Sequence, residues 1–406
     1  MENKIDKIEA EEIFDSRGNP TLKVSVYSGD MSASFSVPSG ASTGIHEAHE
    51  LRDVDGKGVN HAIGKINTIL SEALVGMSIL DQKGIDQKMI ELDGTTNKDS
   101  LGGNSLIGIS IACVKLGAKI LKIPLYQYLS RLTELSQNSK ITHLFINLIN
   151  GGKHAKNNLA FQEYHIVTFT DDIKEAVDIS LKIQNSLQNI ILRELGEESI
   201  VLGDEGGFAP KVTDVRTPLL YLREAIIEND LEEKVRISLD VAASSFYKEG
   251  VYTINGKSLS KEDLMNLYNS LIQEFKLFSI EDPFNEEDFE SFALLRNKHK
   301  ELIVAGDDLT VTNKALLEKA IQQKSVNGMI IKPNQIGTIS ETLDTIVLAI
   351  QNDVKLIISH RSGETDDDFI ADLVYAVGAF GLKSGSPRKS ERMVKYQRLI
   401  QIKKEI

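Results

Sequence analysis

Five apolar runs in the second half of the chain each stop on a side chain that can bind a cation or move a proton. They are Arg236-Ile-Ser-Leu-Asp240, Leu277-Phe-Ser-Ile-Glu281, Leu302-Ile-Val-Ala-Gly-Asp307, Gly328-Met-Ile-Ile-Lys332 and Leu356-Ile-Ile-Ser-His360. Asp240, Glu281 and Asp307 offer oxygen ligands only, which suits a hard cation, Mg²⁺ or Mn²⁺, rather than Zn²⁺. Alone, each is equally a turn former or a helix N-cap; three of them in successive units favour a shared site. Lys332 precedes Pro333, which biases it to extended geometry and so fits a strand end. A lysine buried near cations gives up its proton more easily and can act as a base, although alone it would read as a side chain reaching the rim.

Other stretches add candidates. Gly203-Asp-Glu-Gly-Gly-Phe-Ala-Pro210 is a glycine-rich loop that can hold Glu205 as a general acid opposite the lysine. No Gly-Lys-Ser/Thr follows it, so it is not a P-loop. Ser39-Gly-Ala-Ser-Thr-Gly44 suits a mobile lid that folds over a ligand or supplies a metal oxygen. Asn150-Gly-Gly-Lys-His-Ala-Lys-Asn-Asn158 reads as a second lid, followed by Gln162 and Glu163. His360-Arg-Ser362 and Lys383 sit at two more strand ends, where Arg and Ser can clamp a phosphate or carboxylate.

These residues need a scaffold. Runs of four or five residues rich in Ile, Leu and Val read as buried strands. Helical stretches such as Asp172–Leu195 and Thr217–Glu228 fit between them, the second opening on Thr217 as a capping hydroxyl and Pro218 at the first helical position. The alternation predicts an α/β fold of βα units around a parallel barrel, whose strand ends converge on one mouth. Upstream, Thr21–Tyr27 and Met31–Val37 alternate as strands, and His61–Leu74 and Ser105–Leu121 carry helical periodicity. Strands followed by helices predict an N-terminal α+β domain over residues 1–134. The polar stretch Leu132–Lys140 reads as a linker into a barrel over 140–406, and Tyr247–Asn255 as a hairpin excursion.

Length and composition fit this plan. A chain of 406 residues suggests two domains, and 41% hydrophobic with 26% charged residues is ordinary for a soluble protein. The net charge of −13 argues against nucleic acid or anionic membrane as partners, but not against a small anionic substrate. Cys113 is the single cysteine, which excludes an intrachain disulfide and suggests a reducing compartment; its helical setting suggests a core thiol. With no apolar stretch approaching ~20 residues and no signal-peptide core, the expectation is a cytoplasmic protein.

Seven motifs, in order along nearly the whole chain, resemble the enolase family. They are Asp15-Ser-Arg-Gly-Asn-Pro20, Ser39-Gly-Ala-Ser-Thr-Gly44, Gly203-Asp-Glu-Gly-Gly-Phe-Ala-Pro210, Ser279-Ile-Glu-Asp282, Gly306-Asp-Asp-Leu-Thr-Val-Thr-Asn313, Lys332-Pro-Asn-Gln-Ile-Gly337 and Ser359-His-Arg-Ser-Gly-Glu-Thr365. The resemblance implies an N-terminal capping domain on a modified (β/α)₈ barrel, and interconversion of 2-phosphoglycerate and phosphoenolpyruvate with two Mg²⁺ per site. It implies Asp240, Glu281 and Asp307 as ligands of the tighter ion and Ser42 as a ligand of the second. Lys332 would take the carbon-2 proton, and Glu205, with Glu163 beside it, would protonate the leaving hydroxyl. Arg361 and Ser362 would grip the phosphate, Lys383 the carboxylate, and His154 would arrive with a closing lid, supported by His360 and Gln162. The acid and base need opposite protonation states, so a neutral Lys332 and a protonated Glu205 are expected.

The chain also departs from the family pattern. Glu11, Lys23 and Gln401 replace residues that form ion pairs across the family's dimer, which leaves the expected homo-oligomer with altered contacts. Pro333 replaces an apolar residue, Ser245 a glutamate, and Lys153 and Lys156 add charge to the second lid. Two rival readings are a diverged enzyme acting on another 2-substituted carboxylate, against which Arg361, Ser362 and His154 stand, and a binding protein without catalysis, against which Lys332 and Glu205 stand.

Overall fold

The computed structural model describes residues 3–40, 44–133 and 142–405. Ser42 and residues 134–140 of the expected linker lie outside the described residues. The N-terminal part contains an antiparallel sheet of β1 (Lys7–Phe14), β2 (Pro20–Ser28) and β3 (Met31–Ser36). Alternation in β2 turns Leu22, Val24 and Val26 fully inward. They meet the helix Gly103–Leu121, which packs on β2 and β3. By length and composition this helix could cross a bilayer, so an apolar stretch near ~20 residues does exist. Most of it is buried inside the fold, Cys113 included. Truncating a buried leucine such as Leu106 there would cost about 2–5 kcal/mol.

The periodic stretch His61–Leu74 folds as Asn60–Lys65 and Ser71–Leu74 joined by a π-helical turn, Ile66–Leu70. β1 escaped the sequence reading because its alternation is broken: Glu11 and Glu12 are adjacent acids, and of its residues only Ile8 is buried. Its Glu11 stands opposite Lys23 of β2, and the two form an ion pair at 3.0 Å. Two of the departures from the family pattern therefore face each other within one sheet.

Among the described residues, eight strands close into a barrel: β4 (His143–Asn150), β5 (Glu163–Thr168), β6 (Val235–Asp240), β10 (Ser279–Glu281), β11 (Ile303–Gly306), β12 (Gly328–Ile331), β13 (Lys355–Ser359) and β14 (Gly381–Lys383). β7 (Tyr247–Lys248), β8 (Val251–Ile254) and β9 (Lys257–Leu259) form the small excursion sheet after β6. All five apolar runs are barrel strands. The wholly parallel expectation is corrected at β5, which runs antiparallel to both β4 and β6. A reversed strand brings its first residue, Glu163, to the mouth, in register with Asp240 and Asn150.

The barrel is a packed core rather than a pore. Phe145, Val167, Ile303, Ala305, Ile330 and Ile357 fill it. Phe169, Phe278 and Phe380 close the end opposite the mouth, with His143 between rings at 4.5–4.8 Å. One helix start differs from expectation. The helix Thr217–Ile227 begins at Thr217, with Arg216 as the N-cap; a guanidinium has no acceptor, so no side-chain cap forms, and Pro218 removes one of the donors left unpaired at the helix start.

Candidate active site

The strand ends deliver their polar residues to one mouth. Asp240, Glu281 and Lys383 are the last residues of β6, β10 and β14; Asp307, Lys332 and His360 directly follow β11, β12 and β13. A single small cavity is lined by His154, Gln162, Glu163, Glu205, Lys332, His360, Arg361, Ser362 and Lys383. All of the sequence-predicted site residues among the described ones lie in this cavity or bond directly to its lining.

Lys383 is the counter-charge of the carboxylate side. Its ammonium donates to Asp240 Oδ2 and to both Glu281 oxygens at 2.9 Å, and lies 3.3 Å from Glu163. Gln162 Nε2 also reaches Asp240, at 3.4 Å. Lys332 pairs with Asp307, whose other oxygen accepts from Gln335 at 2.9 Å.

The loop after β11 is strained into place. Val311 and Thr312 adopt φ of 39° and 56°, a left-handed conformation that β-branched residues rarely take. Thr312 Oγ1 there accepts the Lys332 N–H at 2.9 Å and donates to Gln335 at 2.8 Å. Asp282 fixes the start of the same loop by accepting the N–H groups of Asp307 and Asp308 at 3.0 and 2.7 Å.

Opposite lies the acid side. Glu205 accepts from Asn147 at 3.0 Å, and its oxygens lie 3.4 Å from His154 Nδ1 and 3.3 Å from His360 Nε2. His154 is equally close to Glu163, whose second oxygen takes His165 Nε2 at 2.8 Å. His154 therefore already faces both carboxylates, where arrival with a lid was expected. The loop comes this close because it has glycines where any Cβ would collide with Asn150: at 2.7 Å from Gly203 and 2.5 Å from Gly207.

Burial sets the protonation states, and neighbouring charges then sort them. Burial lowers Lys332, but Asp307 outweighs it and holds the ammonium above its usual range. Burial and the charge of Glu163 raise Glu205, yet His360 and His154 overcome them and the carboxyl falls below its usual range. The protein's own groups by themselves thus favour a charged Lys332 and an ionised Glu205; a cation beside Asp307 would act against the first. Burial also lowers both histidines; at His154 the facing Glu205 and Glu163 win and raise it, while His360 stays lowered.

These carboxylates fit a divalent cation. Burial, then repulsion from neighbouring acids, raises Asp240, Glu281, Asp282 and Asp308. Packed this way, they exceed the positive charge that Lys332 and Lys383 supply, and a hard cation answers such an excess of buried oxygen donors. Oxygens of Asp282, Asp307 and Asp308 lie within 4.8 Å of one another, although two backbone N–H groups already engage Asp282.

Several partners were missed in the sequence. Glu47 grips Arg361, and Asn334 accepts from the same guanidinium at 3.0 Å. Arg17, tied to Asp15 and Ser39, reaches Ser362 Oγ at 3.5 Å. Arg17 lay in view within the Asp15–Pro20 motif, and Asn334 and Gln335 within Lys332–Gly337; Glu47, Asn147 and His165 gave no local signal.

A reversed-strand barrel under an α+β cap, with acids, lysines and an arginine at its mouth, defines a capped-barrel enzyme for a small anionic molecule that works with a divalent metal. Residues 141–406 match the family description "Enolase, C-terminal TIM barrel domain" and residues 5–129 match "Enolase, N-terminal domain". The chain is 44% identical to the enolase of Methanocaldococcus jannaschii, over 99% of this chain and 96% of that protein. It is 42% identical to the enolase of Methanothrix thermoacetophila, over 100% and 97%. With enolase B of Dictyostelium discoideum it shares 43% identity, over 99% and 95%. The chain belongs to the enolase family.

Proposed function

We propose that the chain is a phosphopyruvate hydratase, a lyase that removes water reversibly from 2-phosphoglycerate to give phosphoenolpyruvate. The observation that carries this reading is one cavity bounded by Lys332 on one side, Glu205 on the other, and Arg361, Ser362 and Lys383 between strand ends. Lys332 takes the proton from carbon 2. Glu205 gives a proton to the hydroxyl leaving carbon 3, with Glu163 beside it and His154 within 3.4 Å of both. His360 and Gln162 hold the acid side and Asp240. Arg361 and Ser362 grip the phosphate, and Lys383 meets the substrate carboxylate.

Held by Asp240, Glu281 and Asp307, with a second ion completed by Ser42, magnesium would supply positive charge against the substrate carboxylate and neutralise the Asp307 charge that keeps Lys332 protonated. A lysine base working beside magnesium is a general pattern of the enolase superfamily. The reading includes a domain boundary between residues 134 and 140, a cytoplasmic place and a homo-oligomeric assembly.

An assay with 2-phosphoglycerate and Mg²⁺, following absorbance of the enol phosphate, tests it. Turnover that a chelator abolishes is expected. No rise with 2-phosphoglycerate, together with turnover of another 2-substituted carboxylate, would overturn it.

A further inference from the structure

Arg392 is a fully buried arginine on the C-terminal helix Ser390–Glu405, outside every motif described above from the sequence. Its guanidinium forks beneath the strand end that follows β13. Nη1 lies 2.7 Å from His360 Nδ1 and donates to the Arg361 carbonyl at 2.6 Å. Nη2 donates to the Ser362 carbonyl at 2.7 Å and to the Asp204 carbonyl, one residue before Glu205, at 3.4 Å. One side chain thus touches the backbone or ring of every residue from His360 to Ser362 and the loop that carries Glu205.

The contact with His360 fixes a proton. A guanidinium has donors and no acceptor, so Nδ1 facing it must present its lone pair. A neutral imidazole with Nδ1 as acceptor carries its proton on Nε2. Nε2 is the nitrogen 3.3 Å from Glu205 Oε2. The ring cannot easily turn over: a Cβ at Gly385 would sit 3.0 Å from His360 Cε1, so the backbone there lies against the ring edge. Burial, opposed by Glu205 and aided by Arg392, leaves His360 below its usual range.

We propose that Arg392 is a positioning residue that locks His360 in the Nε2–H tautomer and so keeps the protonated nitrogen on the side of the ring nearest Glu205. This rests on the reading of Glu205 as the acid. It places the C-terminal helix in the chemistry: the helix determines which nitrogen of His360 faces the acid, and hence how readily Glu205 releases its own proton to the leaving group.

Nitrogen NMR of the enzyme labelled with ¹⁵N-histidine reads the tautomer directly, with the His360 signals assigned by their loss in His360→Gln. In the unmodified enzyme Nε2 is expected protonated and Nδ1 bare; the opposite tautomer, or a doubly protonated ring at neutral pH, would overturn the proposal without any arginine variant. In Arg392→Met the ring is expected to populate both tautomers. Phosphoenolpyruvate formation should then fall about 10–100-fold, while exchange of the carbon-2 proton falls much less. Arg392→Lys, which keeps a donor, is expected to restore the tautomer and part of the rate. An unchanged tautomer in a folded Arg392→Met would also overturn it. Glu205→Gln separates the two claims: if it too slows dehydration more than exchange, the acid assignment stands whatever Arg392 does, and if it slows both equally, the acid assignment itself fails.

Discussion

Arg361 and Glu47 are joined across the seam between cap and barrel, with both terminal guanidinium nitrogens 2.9 Å from Glu47 Oε2. The same Glu47 carboxylate accepts the Gly44 N–H at 3.1 Å, at the end of the first lid motif. The arginine assigned to the substrate phosphate is therefore already held by a carboxylate of the cap, and a bound phosphate must compete with it.

That competition gives the first prediction. Glu47→Gln is expected to tighten binding of 2-phosphoglycerate several-fold in calorimetric titration. Its Tm should fall, because breaking one side of a buried ion pair costs about 3–5 kcal/mol. Weaker binding would show instead that Glu47 helps to grip the ligand.

Magnesium should stabilise the fold by relieving repulsion among the buried acids. At a hundred times its Kd the gain is about 2.7 kcal/mol, visible as a concentration-dependent rise in Tm. Asp240→Asn keeps the shape and removes a charge, so most of that rise should vanish. An undiminished rise would take Asp240 out of the metal set.

Asp86 makes the cap–barrel seam sensitive to pH. It accepts from Gln82 at 3.0 Å and from the N–H and hydroxyl of Ser340 at 3.0 and 2.6 Å. Burial, opposed by these donors, raises its pKa from 3.8 to about 6. Between those values the folded state binds more protons than the unfolded chain. Stability is therefore lost as pH rises through this window and is flat above it, a penalty of about 3 kcal/mol. Urea unfolding of wild type and Asp86→Asn at about pH 4 and about pH 8 checks the sign. The difference between them should move in the variant's favour at the higher pH; a difference independent of pH would refute it.

What the sequence made legible follows from how each residue is held. Asp240, Glu281, Asp307, Lys332 and His360 could be found because each closes an apolar run, and such runs are strands wherever a barrel buries them. The direction of β5 could not, since pairing depends on neighbours distant in sequence. Arg392 was hidden for a related reason: an arginine on a terminal helix reads as surface, and only the folded chain brings it under His360. The pull of Asp307 on Lys332, and of His154 and His360 on Glu205, was equally hidden, because these groups act only at contact distance.

Lys332 and Glu205, in the function proposed, divide two proton transfers between them. Washout of deuterium from carbon 2 of 2-phosphoglycerate, compared in Lys332→Ala and Glu205→Gln with Mg²⁺ bound, probes that division without an intermediate assumption. Washout should vanish in the lysine variant and persist in the glutamate variant, whose formation of phosphoenolpyruvate is the step that fails. Washout at the wild-type rate without Lys332 would contradict its role as the base.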